Sequence, residues 1–349
     1  MSLLRIENLA IGYRSRELVR IPALELSRGT FACLLGRNGQ GKSTLLRTLA
    51  GLHPPLEGEV RLLERPLREH RPRELARRIA VVLTERPEIP GLRVHDLVAM
   101  GRHPHTGWRD VLDAEDREVV ADSLRLVEGG HLTVRTLDSL SDGERQRALI
   151  ARALAQQPEL MLLDEITAFL DLPSRITMVA MLRRVARECG IGVVLSSHDL
   201  ELSLQTADRL WLLPGDGQCV HGAPEDVVLS GALGRAFDQD NVAFSPASGR
   251  FESPAAEGPL VRVAVDGIAG AWCERMLRRC GFTVSSTSGA IAVTRSGDGR
   301  WHAAGLGAAG DLGGLERLLA APHMPGPASA PQTAAGPRRS WADRYRKSR

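Results

Sequence analysis

The run Gly36-Arg37-Asn38-Gly39-Gln40-Gly41-Lys42-Ser43-Thr44 combines glycines with one amine and two hydroxyls. Gly36, Gly39 and Gly41 permit a tight turn that points successive backbone N–H groups inward, a geometry that holds phosphate oxygens. Lys42 can reach β- and γ-phosphates, and the Ser43 hydroxyl can complete a magnesium shell. Lys42 and Lys347 are the only lysines in an arginine-rich chain, so a compact ammonium stands where a planar guanidinium would fit badly. Two carboxylates, Asp164 and Glu165, end the apolar run Leu160-Met161-Leu162-Leu163. Asp164 there can hold a magnesium-bound water, and Glu165 can polarise the water that attacks a γ-phosphate. His198 follows another apolar run, Val193-Val194-Leu195, and can hydrogen-bond the same phosphate or water, although a single strand-end histidine is usually structural. Tyr13 has two readings: a stacking surface for adenine, or a half-buried strand residue.

The flanking elements suit this chemistry. Phe31–Leu35 reads as a buried strand and Leu45–Ala50 as an amphipathic helix, so the glycine run lies between strand and helix. Ser141 caps a long helix that runs through Ala155, with Glu144 at the reciprocal position. The capped end, with Gly143 in its first turn, is a second potential anion site. Leu3–Leu9 is predicted as a strand continuing to Tyr13, and Leu18–Leu26 as one or two strands broken at Pro22. Arg68–Arg78 is predicted as a solvated helix in which Glu74 and Arg78 can pair. Ile79–Leu83 is a buried strand leading to Thr84-Glu85. Val94–Met100 and Asp113–Leu126 read as helices around a loop that holds His103, His105 and Trp108. Asp171 sits in a turn before a helix over Pro173–Glu188. Strands alternating with helices argue a mostly parallel, helix-covered sheet. Beyond a hairpin around Pro214-Gly215-Asp216-Gly217 and a closing helix, Ser245–Gly258 reads as a linker. A small α/β unit follows, in which Asp266, Gly267 and Gly270 read as structural. From Pro322 the composition predicts a disordered basic tail.

Bulk properties are those of an ordinary soluble protein: 349 residues, 43% hydrophobic, 25% charged, formal net charge +3. That charge does not suggest a nucleic-acid binder. Five cysteines without close pairing fit a reducing compartment. The start of the chain lacks a secretory profile, and no apolar run is long enough to span a bilayer, so a membrane role is expected to come through a partner.

Taken together, these motifs resemble the ATP-binding-cassette (ABC) family, the ATPase subunits of membrane transporters, over roughly Leu3 to Leu229. Gly36–Thr44 matches its Walker A loop, Leu163-Asp164-Glu165 its Walker B acids, and Leu140–Gln146 its signature. Leu170-Asp171 matches its D-loop, His198 its switch histidine, and Tyr13 its adenine-stacking aromatic. The resemblance implies an α/β P-loop NTPase fold: an ABC ATPase domain over 1–235, with an antiparallel N-terminal β subdomain and a helical subdomain at about 86–157. A small C-terminal α/β domain of unassigned role would occupy 236–320, before the tail at 321–349. It implies ATP and Mg²⁺ as ligands. Two copies would pack head to tail, with Ser141, Gly143 and Asp171 completing the partner's ATP site. The segment from Leu92 to Val120 is similar to importers of iron–siderophore complexes, haem and cobalamin. Their ATPases sit on the cytoplasmic face of a multi-span permease served by a substrate-binding protein. Glu85 stands where that family has a metal-binding glutamine, Asp142 and Glu144 where Gly and Gln are commoner, and Ile166 where proline is usual. The alternative is a non-transport cassette acting on nucleic acid or ribosomes, disfavoured by a single cassette with no long basic insert.

Overall fold

The computed structural model describes residues 2–14, 16–83, 89–106, 111–238, 242–252 and 258–320. Glu85, Trp108 and the tail at 321–349 lie outside them. The chain forms two compact units, Met1–Glu252 and Ser253–Arg349.

The first unit opens with strands β1 (Ser2–Tyr13) and β2 (Arg16–Ser27), followed by β3 (Phe31–Gly36) and helix α1 (Lys42–Leu49), which flank the glycine loop. Strands β4 (Glu57–Leu62) and β5 (Arg65–Pro66) complete an antiparallel sheet of order β2-β1-β4-β5. Contrary to expectation, Pro22 does not break β2. The strand lies at the sheet edge, where a residue without N–H costs no ladder bond. The basic helix α2 (Pro72–Arg78) starts later than expected, because Pro72 with its fixed φ occupies the first turn. Arg78 and Glu74 pair at 3.6 Å, as their spacing predicts.

After β6 (Ile79–Val82) come the helices α3 (Val94–Ala99), α4 (Ala114–Leu126) and α5 (Asp142–Ala155). Then β7 (Leu160–Asp164), α6 (Leu172–Cys189), β8 (Gly192–Ser196), α7 (Leu200–Thr206), β9 (Arg209–Leu213) and β10 (Val220–Gly222) follow in turn. The second sheet has the order β10-β9-β3-β8-β7-β6, parallel except for β10. Its central strands are buried on both faces. Phe31, Cys33, Leu35, Met161 and Leu163 face a core shared with α3 to α6. Ala32, Leu34, Leu160 and Leu162 face a second core with α1 and the antiparallel sheet. This two-sided burial makes the strands read as unbroken apolar runs.

The helical layer is held by a buried ion pair. Arg102 donates through Nε to Asp116 Oδ1 at 2.7 Å, and through its terminal nitrogen to Ala155 O and Gln157 Oε1, each at 2.8 Å. Asp113 and Asp116 also form the capping box of α4. Burial pushes the Asp116 carboxyl up, but the Arg102 guanidinium and the Asp113 N–H outweigh it and hold it below the usual carboxylate range.

The expected boundary at 235/236 falls too early. After α8 (Pro224–Leu229) and α9 (Ala232–Phe237), the hairpin β11 (Ala243–Ser245) and β12 (Arg250–Glu252) still packs on the first unit. Phe244 is buried in the same core as Leu210 and Leu233. Phe251 meets Phe237 and Phe244 edge-on, with centroids 5.7 Å away in both cases, and Arg250 pairs with Glu201 at 2.6 Å. Much of the supposed linker is therefore structured.

The second unit consists of β13 (Leu260–Val263), α10 (Gly267–Arg279), β14 (Thr283–Ser285), β15 (Ile291–Arg295), β16 (Trp301–Ala303), β17 (Gly307–Ala309) and α11 (Leu312–Leu319). Its sheet order is β14-β13-β15-β16-β17, with β13 parallel to both neighbours. Val261, Cys273, Leu277, Val293, Trp301 and Leu315 form its core.

Candidate functional site

The glycine loop leaves β3 and enters α1 at Lys42. Gly39 (φ 80°) and Gly41 (φ 94°) adopt left-handed backbone that a side chain would strain. The Lys42 side chain is buried, and its Nζ donates to Gly36 O at 2.9 Å. Burial lowers the pKa of this ammonium from its ordinary value, while the nearby charges of Glu165 and Asp164 oppose the shift. A cavity of about 260 Å³ opens over the loop, lined by Tyr13, Asn38, Lys42, Ser43, Thr44 and Glu165 among others.

The acids arrive on neighbouring strands. Asp164 at the end of β7 is in register with Ser196 at the end of β8. Ser196 Oγ donates to Asp164 Oδ1 at 2.6 Å and accepts from the Glu165 N–H at 2.9 Å. One buried hydroxyl thus clamps both carboxylate-bearing residues. Glu165 holds a left-handed φ of 50°. Its Oε1 accepts from His198 Nε2–H at 2.6 Å and lies 3.6 Å from Lys42 Nζ. Ammonium, carboxylate and imidazole therefore converge at the C-terminal ends of parallel strands, where open α/β sheets meet their ligands.

Tyr13, at the end of β1, reaches the same cavity. Its hydroxyl accepts from Thr44 Oγ1 at 3.2 Å. Ser141 and Gly143 belong to a different surface and do not line this cavity. Ser141 Oγ caps α5, and its N–H and hydroxyl both donate to Glu144 Oε2 at 2.9 Å. Glu144 also pairs with Arg135 at 2.7 Å. The Ser141 N–H, opposed by burial and helped by the Ser141 hydroxyl and Arg135, holds its carboxyl below the usual range. A Cβ at Gly143 would meet only Leu170 Cδ2 at 3.8 Å, so packing within the unit does not demand glycine there. Asp171 caps α6 by accepting from the Ser174 N–H at 3.1 Å. Glu85, expected to bind metal, lies outside the described residues.

Sequence reasoning missed Ser196, whose role depends on strand register. It also missed a second cavity of about 630 Å³, with a largely apolar wall that includes Leu52, Pro54, Val60, Leu67, His70 and Leu75. No described helix is long and apolar enough to cross a membrane.

Comparison with known proteins supplies independent findings. The family profile described as "ABC transporter" matches residues 19–168. An uncharacterized ABC transporter ATP-binding protein of Methanocaldococcus jannaschii is 38% identical over 250 residues, covering 72% of this chain and 86% of that protein. The ferric enterobactin transport ATP-binding protein of Escherichia coli is 37% identical over 239 residues, 67% of this chain and 86% of its own. Among solved structures, cbiO1 of Clostridium perfringens, part of the cbiONQ transporter complex, superposes with a TM-score of 0.59 at 25% identity. That match covers 67% of this chain and 93% of the other.

Proposed function

From its place in the ABC transporter ATP-binding family, we propose that this chain is the ATPase subunit that powers import of an iron–siderophore, haem or cobalamin-type chelate through a multi-span permease. The observation that carries the catalytic reading is the meeting of Lys42, Glu165 and His198 over the glycine loop.

In this reading the loop N–H groups from Gly36 to Thr44, with Asn38 at its crest, and Lys42 hold the triphosphate, and Tyr13 stacks on the adenine. Buried Asp164 and the Ser43 hydroxyl are hard oxygen donors in keeping with Mg²⁺, which would neutralise phosphate charge when bound. Glu85 would join them. Glu165 accepts a hydrogen bond from the attacking water and orients it toward the γ-phosphorus, while His198 fixes the position of that carboxylate. Ser196 fixes the backbone of Glu165.

Ser141, Gly143 and the N-terminus of α5 would complete the γ-phosphate shell of a second, head-to-tail copy, beside Asp171. Closure on ATP and opening after hydrolysis would then move the permease. The apolar cavity walled by Leu52, Leu67 and Leu75 is compatible in character with an apolar permease segment, in keeping with a peripheral position on the cytoplasmic face of the membrane. The test is co-purification with a permease and its substrate-binding protein, followed by ATPase assays. Stimulation by one ferric-chelate, haem or cobalamin-loaded binding protein is expected. Absence of permease association, with activity stimulated by RNA or ribosomes, would overturn the reading.

A further inference from the structure

Neighbouring aromatic rings line the loop cavity and the apolar cavity of the first unit. Tyr13 lines the loop cavity and His53 the apolar one. Their rings meet with centroids 4.8 Å apart and planes tilted by 48°. His53 is brought there by the way α1 ends. Gly51 takes a left-handed φ of 72°, and the N–H groups of Leu52 and His53 fold back onto Arg47 O at 2.9 and 3.2 Å. His53 Nε2–H then donates to Gly12 O at 2.8 Å, one residue from the tyrosine. Gly12 must be glycine, since a Cβ would collide with Arg16 O.

The first turn of the same helix holds the other end of the ring, through Thr44 Oγ1 and the Tyr13 hydroxyl at 3.2 Å. Helix α1 therefore begins at the phosphate loop, and both its first turn and the turn that follows its C-terminus reach Tyr13. Tyr13 remains 49% exposed, which leaves ring surface for a further stacking partner.

We infer that His53 is a positioning residue that sets the Tyr13 ring for a purine base, in the order His53, Tyr13, base. The inference rests on the base-stacking reading of Tyr13. A ring ordered before binding loses less rotamer freedom when the base arrives, and tilted aromatic pairs are intrinsically favourable. Because α1 also carries Lys42, Ser43 and Thr44, one rigid element registers base and triphosphate against each other. His53 makes no contact with the phosphate end, so its removal should weaken the base contribution alone.

The experiment is titration calorimetry on the full chain with Mg·ATP and, separately, inorganic tripolyphosphate, which reports the phosphate loop and its folding. His53→Ala should weaken ATP binding by roughly three- to tenfold, the scale of one aromatic pair, and leave tripolyphosphate affinity unchanged. His53→Phe, which keeps a ring against Tyr13, should recover at least half of the loss. In a Tyr13→Ala background, His53→Ala should add nothing. Unchanged ATP affinity in His53→Ala, a parallel loss of tripolyphosphate affinity, or no recovery in His53→Phe would each overturn the inference. Full ATP affinity in Tyr13→Ala would instead overturn the base-stacking reading beneath it.

Discussion

Ser196 offers the sharpest link between stability and catalysis in this molecule. Its hydroxyl is fully buried and holds Asp164 Oδ1 at 2.6 Å and the Glu165 N–H at 2.9 Å. Ser196→Ala removes both bonds at once. An orphaned buried donor costs about 1–3 kcal/mol, and loss of a hydrogen bond to a charged group about 1.5–3 kcal/mol. Partial access of water to the Glu165 end reduces the sum to about 2–4 kcal/mol. Glu165 also sits at φ 50°, a left-handed conformation that costs an ordinary residue about 1–2 kcal/mol and needs neighbours to hold it. Without the clamp its backbone should relax and carry the carboxylate away from His198 Nε2 and Lys42 Nζ. The loop groups proposed to hold the triphosphate are untouched, whereas the proposed magnesium ligand Asp164 is loosened, so kcat should fall about tenfold or more while KM for Mg·ATP rises only about two- to fivefold. Ser196→Thr, which restores the hydroxyl, should recover part of both losses. The assays are urea unfolding followed by circular dichroism and steady-state ATPase kinetics. Ser196→Ala with stability within about 0.5 kcal/mol of the parent and undiminished kcat would refute the clamp.

Three further predictions follow from the packing and the signature helix. Asp116→Ala should destabilise the helical layer by about 3–5 kcal/mol, toward the lower end because Arg102 keeps Ala155 O and Gln157, measured as a shift in the urea midpoint. Because the folded carboxyl of Asp116 is depressed, its contribution is complete above the unfolded carboxylate range and fades as pH falls through the folded value; the mutant should lack that component of acid sensitivity. A chain ended after Glu252 should keep the thermal midpoint of the first unit, whereas one ended after Asp238 should lose about 2–3 kcal/mol with the buried ring of Phe244; equal midpoints would show that the hairpin adds nothing. Glu144→Gln keeps the capping geometry but removes a carboxylate from beside Ser141, so ATP-driven dimerisation should need less nucleotide, read by sedimentation against ATP concentration.

What could be read from sequence was whatever a local pattern specifies. The glycine loop declares itself through residue types fixed by phosphate geometry, and β3, β7 and β8 through two-sided burial that leaves only apolar residues. The Ser141–Glu144 capping box is likewise written within a single helical turn. The features that escaped join distant parts of the chain. Ser196 meets Asp164 across 32 residues, Arg102 meets Ala155 across 53, and His53 meets Gly12 across 41. Nothing at those positions marks the pairing, because a buried arginine or a strand-end serine looks like its exposed counterpart until register and packing are known. Pro22 misled because an edge strand tolerates what an inner strand does not. Strands β16 and β17 carry little local signal, because Ala303, Gly307, Ala308 and Ala309 have little intrinsic preference for extended structure. The domain boundary was set too early because the Pro- and Ser-rich stretch after Ser245 conceals Phe251, which closes an aromatic cluster with Phe237 and Phe244.

The proposed mechanism requires ATP to be shared between two copies, with the Lys42 loop of one facing the Ser141 helix of the other. Its most direct test is the mass of Glu165→Gln in solution with and without Mg·ATP, because slowed hydrolysis should trap the closed pair. The expected result is a shift from one 37.9 kDa chain to two on addition of ATP, abolished by Ser141→Arg in the same background. A protein that binds ATP yet keeps the mass of one chain, or that pairs equally well with Ser141→Arg, would contradict it.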